Sequence, residues 1–208
     1  MKIRGVKKTV NLSFTPEGIL LDVEILEDET APTFRKYILK LKERLNLDVL
    51  VTDDHASYRE SLIGTGIERR LCIVHVLKNV MKGLKKLDFS EEEKGKIIGL
   101  VRAPTGKGRI IIWEMYLKRL KERGSRDEGM QFLLRLTEKC MDLTTYERRE
   151  GVPKDNNFTE RNIGGTKIRY KTTRGMKSEE GLLNFLYLTQ EILRGNEIGE
   201  IDLKKLIV

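Results

Sequence analysis

The feature that most restricts the fold is a change of hydrophobic period near residue 75. Ahead of it apolar residues alternate or fall in short blocks, and behind it they recur only at helical spacing. In VKKTVNLSF, Val6, Lys8, Val10, Leu12 and Phe14 share one face, with Lys7, Thr9, Asn11 and Ser13 on the other. Period two followed by the turn TPEG predicts a strand, and ILLDVEIL, Ile19 to Leu26, is its antiparallel partner. Phe34, Tyr37, Ile38, Leu41 and Leu45 then fall at helical spacing, with Thr30 as candidate N-cap and Pro32 near the first turn. DVLVTD reads as a buried strand ending in acid, ASYRESLIGTG as a short helix closed by glycine, and RLCIV as a second buried strand. The expected order is β-β-α-β-α-β, an α/β class.

Beyond it the spacing predicts helices over Val76 to Leu87, Glu91 to Val101, Ile110 to Arg123 and Glu128 to Leu143, separated by RAPTGKG and RGSRD. The loop ERREGVPKDNN leads into a basic segment, and GLLNFLYLTQEILRG is an amphipathic closing helix. The expected organisation is a first part of an α/β core over 1–75, an all-helical insertion over 76–147, and a last part of the core over 148–208.

The formal charge of +8 suits a polyanionic partner. Charged residues reach 35% while Gln occurs only at Gln131 and Gln190, a balance that points to a thermophilic source. Cys72 and Cys140 have no paired spacing and no secretory segment opens the chain, which suggests a reducing, cytoplasmic setting. No apolar run approaches the roughly 20 residues of a membrane helix, so no membrane association is expected.

Asp53 ends a predicted strand, where its carboxylate emerges at the carboxyl edge of a sheet, a frequent place for α/β active sites. Asp53 or Asp54 equally suits the N-cap of the next helix, and strand alternation puts the two on opposite faces. Cys72 and His75 have metal-pair spacing without a second pair, which argues against zinc and leaves His75 as support for an acid or a phosphate. Glu160 heads a segment carrying Arg161, Lys167, Arg169, Lys171, Arg174 and Lys177. With Asn157 as N-cap, Glu160 holds the capping-box position; the cations read as phosphate contacts or as a solvated face.

The sequence of a strand-end acid, CxxH, a helical stretch, NNxxER, KxRxK and GxKS resembles the DDE transposases, closest to Mutator-like and related bacterial and archaeal insertion-sequence enzymes. The resemblance spans nearly the whole chain, and the wide separation of Asp53 from Glu160 matches the form with a helical insertion. It implies an RNase H-like mixed sheet flanked by helices and interrupted by that insertion. It also implies two Mg²⁺ or Mn²⁺ ions held by three acids, with Asp53 the second and Glu160 the third, and His75 and Asn157 in support. The implied reaction is phosphodiester cleavage and strand transfer in transposition. The implied partner is double-stranded DNA, both transposon ends and target, bound by a homodimer or larger assembly in the cytoplasm or nucleoid.

One departure stands out. The family's first acid lies on the first strand, just ahead of a segment like KIRG, and here MKIRG opens the sequence. The first strand is expected to be truncated, the first acid to precede Met1, and catalysis by this chain to be impaired, with Asp22 and Asp28 as poor substitutes. The alternative is a non-catalytic nucleic-acid-binding protein derived from such a core. An unrelated α/β nuclease that cuts arbitrary DNA is a third reading.

Overall fold

The computed structural model describes residues 1–17, 19–173 and 175–193. The chain divides into two compact units, Leu41–Asn156 and a second formed by Met1–Lys40 with the residues from Asn157 onward. The class is mixed α/β.

The discontinuous unit opens with β1 (Lys2–Ile3) and β2 (Val6–Lys7), paired antiparallel as Lys2↔Lys7 and Ile3↔Val6. Arg4 and Gly5 between them have φ of 49° and 83°, the doubly left-handed turn whose twist matches a hairpin. The expected single strand over residues 6–14 is therefore broken at Lys8, because the chain pairs first with β1. β3 (Thr9–Phe14) then pairs with β4 (Leu20–Leu26), from Thr9↔Leu26 to Ser13↔Asp22, with a bulge between Ser13 and Phe14. Ile3, Val23, Leu182 and Leu186 form the core of this unit, with Val10, Leu12, Tyr170 and Phe185 packed around them. Tyr37, from α1 (Ala31–Leu45), meets Ser13 at 2.6 Å between hydroxyl oxygens.

In the continuous unit, Asn46 ends α1 in a left-handed conformation, φ 49°. β5 (Val49–Thr52) passes through α2 (Ala56–Leu62) to β6 (Glu68–Leu71), its parallel partner in the register Val49↔Glu68 to Thr52↔Leu71. The second strand falls two residues earlier than expected: Ile73 and Val74 belong to α3 (Ile73–Leu84), and the buried strand is ERRL. Then follow α4 (Glu91–Arg102), α5 (Gly106–Arg123), α6 (Glu128–Leu143) and the short α7 (Thr145–Arg148). Leu71, Val76, Val80, Leu84, Ile97, Val101, Ile112, Leu133 and Leu143 make their shared core. Sequence-specified caps set the boundaries: Ser90 and Glu93 form a complete capping box, Thr105 accepts from Gly108 N, and Asp127 from Met130 N.

α8 (Asn157–Thr172) and α9 (Glu179–Leu193) complete the discontinuous unit. The strands form three two-stranded sheets, β1–β2, β3–β4 and β5–β6.

Candidate active-site carboxylates and basic surface

β5 delivers two consecutive aspartates, and their surroundings separate them. Asp53 Oδ1 accepts from His55 N at 3.0 Å, a local turn that leads the chain into α2. The Asp54 side chain is 7% exposed, and its Oδ2 accepts from Lys139 Nζ at 2.5 Å and Asn79 Nδ2 at 3.0 Å. Asp54 thus ties β5 to α6 and α3, while Asp53 is engaged by its own loop. Glu68 N bonds Asp48 O and Cys72 N bonds Thr52 O, so even-numbered peptides of β5 face β6. Those of Val49 and Val51 face the opposite edge, where no strand pairs among the described residues.

Beneath this end of β5 sits a group that sequence reading missed. Arg69 is 9% exposed; it donates from Nε to Thr52 Oγ1 at 3.0 Å and from Nη2 to Asp53 O at 2.9 Å and His55 O at 3.3 Å. Burial pulls its pKa down, and the charges of Asp142, Asp54 and Asp53 oppose that. Asp142 Oδ2 lies 3.7 Å from Arg69 Nη1, and burial holds this carboxyl above its usual range. The guanidinium therefore fixes the backbone of the Asp53 loop and supplies positive charge behind it. The only sequence signal is the pair of arginines in IERRL, which gives no warning that both are buried. Cys72 is fully buried, and His75 is half-buried in the first turn of α3.

Glu160 is exposed in the first turn of α8, where a carboxylate suits the positive end of the helix. Asn157 is the first residue of that helix and is exposed. At 100° per residue, Glu160, Lys167 and Lys171 share one stripe, and all are exposed, as is Arg161 to one side. Arg169 falls on the opposite face with Asn162; it is half-buried and its Nε has no hydrogen-bond partner. Lys177 is exposed, and Arg174 lies outside the described residues.

Comparison with protein-family models, curated proteins and solved structures finds no match. Among the described residues no three His, Cys, Asp or Glu side chains gather as a metal site. Asp53 lies in the continuous unit and Glu160 in the other. Their oxygen donors suit a hard divalent ion, and Asp54 is held by Lys139. The described carboxylates match a Mg²⁺ or Mn²⁺ pair in chemical type.

Proposed function

We propose that this chain is the core of a DDE-type transposase with an RNase H-like fold. It binds double-stranded DNA through the exposed face of α8. The observation that carries this reading is the end of β5, where the first strand of a parallel pair leads directly into Asp53. An antiparallel hairpin, β3–β4, and a parallel pair, β5–β6, are both pairings that an RNase H-like fold contains.

In this reading Asp53 and Glu160 are the second and third acids, and Arg69 fixes the loop that presents Asp53. Arg161, Lys167, Lys171 and Lys177 contact phosphates, with His75 and Asn157 in support. The test measures binding of duplex DNA against salt for the natural chain, Asp53→Asn and Glu160→Gln. The natural chain is expected to bind with a log–log salt slope of about −4 or steeper, about −0.9 for each phosphate neutralised. Both variants should bind as well or more tightly, because each removes a negative charge facing phosphate. Absence of salt-sensitive binding overturns the reading.

The exposed cations of α8 equally support a second reading, a nucleic-acid-binding protein without catalysis. Mn²⁺ titration separates the two: loss of metal affinity in Asp53→Asn and Glu160→Gln supports the transposase core, and indifference to both supports the binder.

A further inference from the structure

The small hairpin β1–β2 is electrostatically unfavourable as it stands. Lys2 and Lys7 are directly opposed across the ladder, and both are exposed. Like charges in that position repel. Lys7 and Lys167 both act electrostatically on the amino group of Met1, which brings α8 into the same field. Lys167 and Lys171, one turn apart on α8, repeat the conflict on a helix. Among the described residues, none of Lys2, Lys7, Lys167 and Lys171 is in an ion pair. Glu179 is taken by Lys8 at 2.9 Å.

The same hairpin is held firmly. The hydroxyl of Tyr170 accepts from Lys2 N at 2.7 Å and donates to Lys2 O at 2.8 Å. Arg4 N donates to Met176 O at 2.9 Å, and Arg4 Nε to Lys177 O at 2.9 Å. Ile3 is buried in the core on the opposite side of the hairpin from the two lysines. These bonds and the packing of Ile3 fix the backbone of the hairpin, so the two lysines stay opposed at their Cα positions.

We propose that the Lys2–Lys7 hairpin is a phosphate-binding arm, which together with Lys167 and Lys171 of α8 forms one cationic surface for the backbone of a nucleic acid duplex. Phosphates lodged between Lys2, Lys7 and Lys167 remove the repulsion that the free protein carries. Arg4, at the tip of the turn and anchored through Nε, extends the surface toward Lys177. This rests on the nucleic-acid-binding reading above and adds a contact element to it.

The experiment titrates a duplex of arbitrary sequence about two helical turns long against salt, with the full chain. Three variants are compared: Lys2→Ala/Lys7→Ala, Lys7→Glu, and Lys82→Ala/Lys121→Ala, which removes the same charge from exposed positions of α3 and α5. The hairpin double variant is expected to lose about 1.8 from the magnitude of the salt slope, about 0.9 per contact, with the control unchanged. Lys7→Glu should bind weakly while its melting temperature stays level or rises, since it converts an opposed like pair into an opposite one. A hairpin variant with the natural slope, or a control that loses as much, overturns the arm and leaves DNA binding standing. A natural chain that does not bind DNA overturns both.

Discussion

Arg70 is fully buried, and its hydrogen bonds all go to backbone carbonyls: Asp142 and Leu143 at the end of α6, and Lys154 in the following loop. Those carbonyls have no partner within the helix, and a cation at that end also meets the negative pole of the dipole. Burial brings the guanidinium pKa down to about 10, and the Tyr146 ring lies 4.8 Å from its Cζ. Arg70→Met keeps the stem but removes the donor to Leu143 O, while Asp142 O keeps Thr145 Oγ1 and Lys154 O keeps Ile73 N, so a loss of about 1–3 kcal/mol is expected in urea denaturation. Arg70→Lys should fall between, because one ammonium cannot span three acceptors. Asp127 caps α6 and pairs with the buried Arg119 at 2.5 Å, and the Arg119 hydrogen bond holds its carboxyl below the usual range. Its folded pKa is depressed, so its stabilisation is complete above the unfolded value near 4 and is lost as pH falls through the folded value. Asp127→Asn keeps a good cap and loses the charge, so it should cost about 2 kcal/mol at neutral pH and flatten the acid limb of the stability profile. None of this was legible in the sequence: arginine is ordinarily exposed, and only the fold reveals that Arg69, Arg70 and Arg119 stop helix ends and loops from the inside.

Between elements, α8 and α9 meet through a polar seam. Gln190 Nε2 donates to Thr166 Oγ1 at 2.6 Å, Thr166 donates to Asn162 O at 2.7 Å, and Gln190 Oε1 is buried without a partner. Thr166→Val leaves the buried amide without its acceptor and should cost about 1–2 kcal/mol. Adding Gln190→Leu replaces both partners by apolar groups and should recover most of that, a non-additivity that denaturant midpoints would read directly. Additive losses would mean that the seam contributes through packing alone. Such a seam explains why α8 was harder to place than the other helices: its buried stripe is Asn162 and Thr166, with no apolar period. The helices of the continuous unit were legible to within a few residues, since their apolar residues recur at helical spacing. α5 begins at Gly106 instead of Ile110, because Thr105 caps a turn whose glycines read as loop. The second strand of the parallel pair was misplaced for a related reason: the apolar residues of CIV belong to the first turn of α3 and its cap.

At the scale of the molecule, each of the two units holds a hydrophobic cluster among its described residues, and the two differ in size. Unequal cores predict unfolding in more than one step, with the discontinuous unit going first. Trp113, the sole tryptophan, lies in the continuous unit, so its fluorescence should change at higher denaturant than the far-ultraviolet signal summed over both units. Coincident curves would mean that the units unfold together. What spacing could not show is that Asp54 is held by Lys139 while Asp53 is engaged by its own loop. The unpaired edge of β5 also bears on how the protein behaves at high concentration. Natural edge strands protect themselves with lysine, proline or a bulge, and VLVT has none of these. Any second polypeptide in an extended conformation finds in Val49 and Val51 a ready-made template, so the chain should be prone to clump through intermolecular β-pairing, and a short peptide supplied in trans should keep it dispersed.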